Sequence, residues 1–226
     1  MFIGHYAVAL AAKRAAPRTS LATLFAAAQL LDLAWPLLLI LGIERVRIAP
    51  GDTAFTPLDF ESYPWTHSLL AVAVWAVAFA LLYRRRSNDT QAAIVVGALV
   101  MSHWLLDLLT HRPDLPLAPG GGVRVGLGLW NSVPGTLAVE GTLFVLGVAA
   151  YATGTRARNR TGAVAFWALV VFLAVVHLGN AFGPPPPSAR AVAWLALAIW
   201  LFLPWAAWID RNREVTSPAA SGEVGP

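Results

Sequence analysis

His103 and Asp107, four residues apart in an apolar segment, are well spaced to bind one metal ion. In an α-helix this spacing puts two side chains about 40° apart on one face, so both can reach the same ion. Asp32 and His67 lie in two other apolar segments. Together the four residues predict a divalent metal site built by three helices. Zn²⁺ fits these ligands best, with Mn²⁺ or Fe²⁺ as alternatives.

Other ionisable residues are candidates for the same site. His5 would be a further ligand if residues 2–12 form a short helix that enters the bilayer, whereas a peripheral amphipathic segment would keep it away. Glu140 could serve as a ligand or as a general base. His111 continues the face of His103 and Asp107 and could be a further metal ligand or a catalytic acid or base. It could also be a solvated residue at a helix end, because Arg112 and then a proline follow it.

The composition is that of an integral membrane protein. Of the 226 residues, 58% are hydrophobic and only 12% are charged, and the mean hydropathy is +0.63. Soluble domains do not have this balance. The net charge of +4 could indicate a nucleic-acid partner, but the basic residues occur in short clusters between apolar runs, as in membrane proteins. The absence of cysteine excludes disulfides, iron–sulfur clusters and thiol nucleophiles.

The apolar runs predict an all-α bundle of about six transmembrane helices plus the short N-terminal helix. The six runs cover residues 21–43, 66–83, 91–110, 135–153, 162–182 and 190–209. They would form a single membrane-embedded domain over residues 1–209. The polar remainder, residues 210–226, is predicted to be a disordered tail.

The basic residues of the connectors predict the orientation of the bundle. Eleven of them fall on one side, namely Lys13, Arg14, Arg18, Arg84, Arg85, Arg86, Arg156, Arg158, Arg160, Arg211 and Arg213. Five fall on the other side, namely Arg45, Arg47, Arg112, Arg124 and Arg190. The positive-inside rule makes the first side cytoplasmic. The two long connectors, residues 44–65 and 111–134, would then face outward.

Most of the ionisable residues in the apolar runs share one depth. The set comprises His5, Asp32, His67, His103, Asp107, Glu140 and His177. Most lie 14 to 17 residues from the nearest cytoplasmic basic residue, which is about 20 to 25 Å along a helix. A shared depth favours one common site, because each such group in hydrocarbon costs about 2.5 to 3.5 kcal/mol. The alternative is that each group hydrogen-bonds a neighbouring helix, and we favour that interpretation for His177, which shares a face with Asn180.

Four short motifs contain the candidate ligands. They are Gly4-His5-Tyr6-Ala7-Val8, Leu31-Asp32-Leu33, Thr66-His67-Ser68-Leu69-Leu70 and Ser102-His103-Trp104-Leu105-Leu106-Asp107-Leu108-Leu109-Thr110. In type and order they resemble the bacterial membrane-bound metal-dependent hydrolases of the LexA-regulated inner-membrane type, over about the first half of the chain. That family is distantly similar to zinc-dependent phospholipases C and P1-type nucleases. The resemblance implies a bacterial inner-membrane location and hydrolysis of a phosphoester.

The expected function is therefore that of a membrane-embedded hydrolase that uses its metal to activate water. Arg112 or Arg124 could hold a phosphate oxygen, because a guanidinium group matches that geometry. The predicted site lies near the outer headgroup level. This position favours a lipid or lipid-linked phosphoester on the periplasmic side over a nucleic acid or another soluble substrate.

Two other classes of protein fit the same residues. An ion or metal transporter would also place Asp, Glu and His side chains inside the membrane. Against it, the inner halves of the spans carry mainly Ala, Val, Leu and Phe, and no inverted repeat is present. A structural or assembly protein would need no ion at all.

Overall fold

The computed structural model describes residues 1–216, and residues 217–226 lie outside the described part. Within residues 1–216 the chain forms ten α-helices, two short 3-10 helices and three two-stranded antiparallel sheets. The helices are α1 (Ile3–Ala12), α2 (Leu21–Ala28), α3 (Leu30–Ile40), α4 (Pro64–His67), α5 (Leu69–Ser87), α6 (Thr90–Thr110), α7 (Val133–Gly154), α8 (Arg160–Phe182), α9 (Ala189–Ala196) and α10 (Phe202–Arg211). The strands are β1 (Arg45–Ile48), β2 (Leu58–Ser62), β3 (Leu115–Pro116), β4 (Arg124–Val125), β5 (Thr155–Ala157) and β6 (Arg213–Val215).

Most of these helices begin at a side-chain cap. At six of them a Ser, Asp or Asn side chain accepts a hydrogen bond from the backbone N–H three residues later, which satisfies one of the free donors of the first turn. The capping residues are Ser20, Ser68, Asp89, Ser132, Asn159 and Ser188. Polar residues at the edges of the apolar runs therefore determine where the helices start.

The six predicted apolar runs are all helical, but fewer than six helices are long and apolar enough to cross a membrane. Four stretches meet that requirement, namely Thr90–Thr110, Val133–Gly154, Arg160–Phe182 and Ala189–Arg211. The bent pair α2 and α3 would add a fifth. Helix α5 is 19 residues long, but three arginines occupy its last turn. The count of six spans therefore stays a prediction.

The sequence predicts one span over residues 21–43, but the structure divides this run into two helices. It breaks at Gln29, and α2 and α3 meet there at an angle of 57°. The run that begins at residue 66 is also interrupted, because Ser68 is extended between α4 and α5. Both interruptions lie next to predicted ligands.

Helix α1 occupies the centre of the bundle, where it packs against α2, α6 and α7. His5, Tyr6 and Ala9 are fully buried on it, so residues 3–12 form a helix packed inside the bundle and not a peripheral one. Gly147 of α7 makes the close approach possible. A Cβ atom at that position would lie 2.4 Å from the carbonyl oxygen of Ala7.

The three strand pairs were not predicted. β1 pairs with β2 and β3 pairs with β4 in the long connectors, so these connectors are folded parts of the molecule. The hairpin tip between β1 and β2 is held by a hydrogen bond from the N–H of Phe55 to the carbonyl of Trp130. Both connectors thus form one cover over the ends of the helices.

The prediction of a disordered tail over residues 210–226 is wrong for residues 210–215. Asp210 and Arg211 continue α10, and β6 pairs with β5, residue by residue, from Arg213 to Val215. Backbone pairing and the burial of Arg213 explain why this polar segment is ordered. The rest of the predicted tail, residues 217–226, lies outside the described part.

Candidate metal centre

Five of the predicted ligands meet in one cluster, supplied by four helices. His5 comes from α1, Asp32 from α3, His67 from α4, and His103 and Asp107 from α6. Four of the five are almost fully buried, and the Asp32 side chain is 22% exposed. We refer to these five residues as the His/Asp cluster.

Asp107 lies at the centre of the His/Asp cluster. Its Oδ1 atom is 3.1 Å from Nε2 of His5, and its Oδ2 atom is 3.2 Å from Nε2 of His103. Nε2 of His67 lies 3.7 Å from Oδ2. The N-terminal ammonium group of Met1 also forms an ion pair with Oδ1. One carboxylate therefore faces three imidazoles.

Asp32 closes the cluster from the opposite side. Its Oδ1 atom lies 3.5 Å from Nε2 of His67 and 3.7 Å from Nε2 of His103. Two groups of three possible ligands result, and in each group the ligand atoms lie within 4.8 Å of one another. The first is His5, His103 and Asp107, and the second is Asp32, His67 and His103.

His103 is oriented by the break between α2 and α3. The carbonyl of Ala28 accepts a hydrogen bond of 2.7 Å from Nδ1–H of His103. In an unbroken helix that carbonyl would bond to a backbone N–H four residues later. Since Nδ1 carries the hydrogen, Nε2 presents a lone pair to the carboxylates, and it has no hydrogen-bond partner within residues 1–216. Metal-binding histidines commonly have this arrangement.

His67 is oriented by a chain of two further side chains. Glu44 is buried and accepts hydrogen bonds from the N–H groups of Trp65 and Thr66 and from the Thr66 hydroxyl. That hydroxyl oxygen lies 2.7 Å from Nδ1 of His67. Because the hydroxyl donates to Glu44, it accepts from Nδ1–H, which leaves the Nε2 lone pair for the cluster.

The donor set fits a divalent metal. Three imidazole nitrogens and two carboxylates converge, and hydrogen bonds fix the tautomers of two of the histidines. His5 stacks on His103 with ring centroids 3.7 Å apart. The Nε2 atom of His103 has no hydrogen-bond partner within residues 1–216 although it faces two carboxylates, and a metal ion between these groups would satisfy all three. The residues are those that bind Zn²⁺, Mn²⁺ or Fe²⁺ in proteins.

A cavity of about 650 Å³ reaches the His/Asp cluster. Asp32, His67, Asp107 and His111 contribute its titratable side chains, and most of the remaining wall is apolar or aromatic. The apolar part includes Trp35, Phe60, Trp130 and the prolines at 184–187. Within residues 1–216 the cavity wall has no Lys or Arg side chain.

His111 lies in the cavity wall beside a second acidic group. Its Nδ1 atom is 2.9 Å from Oδ1 of Asp114, which also accepts a hydrogen bond from the Tyr63 hydroxyl. Burial lowers the pKa of His111 below its ordinary value. Although its own burial acts in the opposite direction, the hydrogen bonds from His111, Tyr63 and Arg112 hold the pKa of Asp114 below its ordinary value. His111 is thus a buried, oriented residue and not a solvated helix end.

Arg112 and Arg124 do not line the cavity. All three guanidinium nitrogens of Arg112 contact carboxylates, one each from Asp52, Asp59 and Asp114. Arg124 is exposed on β4, where it donates to the carbonyl of Glu61 at 3.4 Å. Arg112 therefore joins the two long connectors, residues 44–65 and 111–134.

Glu140 and His177 lie outside the His/Asp cluster. Glu140 accepts hydrogen bonds from the N–H groups of Phe2 and Gly4, so it caps the first turn of α1. The prediction of a satisfied hydrogen bond for His177 is wrong, because neither ring nitrogen has a partner within residues 1–216. Its ring packs between the rings of Phe2 and Phe55, at centroid distances of 6.4 and 5.4 Å. These neighbours are apolar and offer no hydrogen bond.

Three residues that orient predicted site residues are not predicted from the sequence, namely Glu44, Thr66 and Asp114. In the sequence, Glu44 is one of several charged residues of the connector 44–65, and Thr66 is part of the motif that contains His67. Asp114 follows His111 by three residues, which is a spacing that allows contact and could have indicated the pair. Nothing in the sequence indicates that Glu44 folds back onto Thr66, because they are 22 positions apart.

Comparison with known proteins agrees with the membrane pattern. A family described as YdjM inner membrane protein matches residues 1–182. That range contains the whole His/Asp cluster and the helices α1 to α8. No curated protein and no solved structure matches the chain. The chain is therefore a multipass protein of the inner membrane and belongs to the YdjM inner membrane protein family.

Proposed function

We propose that this protein is a membrane-embedded, metal-dependent hydrolase whose substrate is a phosphoester in a lipid or lipid-linked molecule. The observation that carries the proposal is the convergence of three histidines and two aspartates at the inner end of a cavity. Two of these histidines are held with Nε2 toward the carboxylates. Such support by neighbouring hydrogen bonds is typical of metal centres.

A bound divalent metal would supply Lewis acidity toward a phosphoryl oxygen and would lower the pKa of a water molecule. The His/Asp cluster would hold the metal. His111 would move a proton at its ring nitrogen, with Asp114 and Tyr63 keeping the ring in place. Glu140 was the other candidate for a proton-transfer role, but its contacts with α1 favour a structural one.

The wall of the cavity supports a lipid substrate. Aromatic and proline side chains surround the titratable residues, and an apolar chain would remove this surface from water. Because Arg112 is engaged by three carboxylates, we assign the binding of phosphate oxygens to the cluster and its metal and not to an arginine.

Elemental analysis of purified protein tests the metal. We expect at least one transition-metal ion per chain in the wild type and almost none in a His103→Ala, Asp107→Ala double variant. His177→Gln is the matched control, since His177 is equally buried but lies outside the cluster. Equal, near-zero metal in wild type and double variant would reject the proposal.

Turnover is the second test. Folded wild type with added Zn²⁺ or Mn²⁺ should hydrolyse one member of a panel of phospholipids, polyprenyl phosphates and a chromogenic phosphodiester. Asp32→Ala and His67→Ala variants that keep the wild-type elution profile and melting temperature should lose this activity. If metal-loaded protein hydrolyses none of them and proteoliposomes show metal-dependent ion flux, the transporter interpretation replaces the hydrolase.

A further inference from the structure

A second cavity, of about 490 Å³, lies outside the His/Asp cluster. Its wall is formed by the end of α3, by strand β1 and by the start of α9. Helices α3 and α9 pack against each other. Helix α9 begins one candidate span, and the bent pair α2 and α3, which would be another, ends at Ile40, so the cavity would lie at the membrane surface. We refer to it as the α3/α9 cleft.

Two arginines without acidic partners line the α3/α9 cleft. Arg45 and Arg190 are both exposed, and neither forms an ion pair within residues 1–216. Two glutamates share the wall, but both are already engaged. Glu61 pairs with Arg47 at 3.2 Å, and Glu44 is buried against Thr66. Since Glu44 is only 1% exposed and Glu61 is ion-paired, the charged groups that the cleft presents without a partner within residues 1–216 are the two arginines.

The rest of the α3/α9 cleft is apolar. Leu39 and Ile40 come from the last turn of α3, and Ala193 and Trp194 come from α9. Ile40 is 41% exposed and Trp194 is 55% exposed. An indole ring at the end of a span is typical of the membrane interface, where its polar edge and apolar face both find suitable surroundings.

We propose that the α3/α9 cleft binds an anionic phospholipid. Arg45 and Arg190 would donate hydrogen bonds to the headgroup phosphate, since guanidinium groups suit phosphate oxygens and are attracted to anionic lipid. The acyl chains would lie along Ile40 and Trp194. A soluble phosphate would leave this apolar wall in contact with water, which is why we assign the cleft to a lipid.

Native mass spectrometry of detergent-solubilised protein tests this assignment. Wild type is titrated with phosphatidylglycerol or phosphatidylcholine of the same chain length. We expect tighter binding of phosphatidylglycerol. In the Arg45→Gln and Arg190→Gln variants, we expect the loss of one guanidinium to weaken its binding by about fivefold. Arg124→Gln is the control, because Arg124 is an exposed arginine of the same group of connectors that does not line the cleft.

Three results would overturn the assignment. One is equal binding of the two lipids by wild type. Another is that Arg45→Gln and Arg190→Gln weaken binding no more than Arg124→Gln does. The third is displacement of the lipid by glycerophosphoglycerol at equal concentration, which would indicate a site for a soluble anion. The measurement needs neither metal nor turnover, and only the binding that depends on Arg45 and Arg190 is assigned to the cleft, so its outcome does not decide the proposed hydrolase activity.

Discussion

At the scale of single residues, two of the three histidines of the cluster are oriented by groups that are not themselves possible ligands. His103 is held by the carbonyl of Ala28 and His67 by Thr66 and Glu44. Such partners fix the ring tautomer and the direction of the lone pair. The geometry of the His/Asp cluster therefore depends on residues outside it, and their contribution can be tested separately.

Glu44→Gln is expected to weaken metal binding by about 10- to 100-fold, the usual effect of removing a hydrogen-bonding partner of a ligand. The glutamine keeps the size of the side chain but loses the charge that accepts three hydrogen bonds. Competition with a chromophoric chelator measures the change. Glu61→Gln is the control, because Glu61 is an exposed glutamate of the same connector. Equal affinity in the two variants would contradict this role for Glu44.

At the scale of elements, the burial of α1 depends on a glycine of α7. A Cβ atom at Gly147 would lie 2.4 Å from the Ala7 carbonyl oxygen, whereas one at Gly141 of the same helix would meet nothing within 4 Å. Helix α1 carries His5, so its position also determines the geometry of the cluster.

Gly147→Ala is expected to destabilise the protein by about 1 to 3 kcal/mol, because an overpacked contact must push α1 and α7 apart. Gly141→Ala, where space is free, is expected to be neutral or to stabilise α7 by up to about 1 kcal/mol through helix propensity. Thermal melting in detergent compares the two variants. Equal melting temperatures would mean that α1 does not need this close approach.

The two long connectors are joined by Arg112, which contacts three carboxylates. Arg112→Gln is expected to lower the melting temperature at pH 7, because Asp52, Asp59 and Asp114 then repel one another. The pKa of Asp114 is below its ordinary value in the fold, so its stabilising contribution is complete above about pH 4 and is lost as the pH falls further.

The difference in melting temperature between wild type and Arg112→Gln should therefore shrink when the pH is lowered from 7 to 3. Arg124→Gln provides the comparison, since Arg124 is exposed and within residues 1–216 bonds only to a backbone carbonyl. A difference that stays constant over this range would show that Arg112 acts through packing and not through its charge.

At the scale of the whole molecule, two features of the sequence predict the architecture. They are the apolar runs and the shared depth of the ionisable residues. The runs predict the helical segments, and the shared depth groups the five residues of the His/Asp cluster with Glu140 and His177, which the structure places outside it. The bend at Gln29 was not predictable, because it depends on a tertiary contact between the Ala28 carbonyl and His103. The partners of Arg112 were also hidden, since Asp52 is 60 positions away in the sequence.

The orientation of the bundle is still a prediction, and the lack of cysteine makes it testable. Val123 is 66% exposed in the connector 111–134. Ser87 is exposed at the C-terminal end of α5, in a connector predicted to lie on the opposite side of the membrane. In intact cells, we expect a membrane-impermeant thiol reagent to label Val123→Cys and to leave Ser87→Cys unlabelled until the inner membrane is opened. The opposite pattern would place the cavity on the cytoplasmic side.

The pairing of β5 with β6 also limits how the protein can be tagged. Arg213 donates hydrogen bonds of 3.0 Å to the hydroxyl and to the carbonyl of Thr155, and its guanidinium lies 4.9 Å from the ring centroid of Phe166. A fluorescent reporter joined directly after α10 would remove this strand and separate α10 from the loop between α7 and α8. The same reporter joined after Thr216 would leave the strand in place.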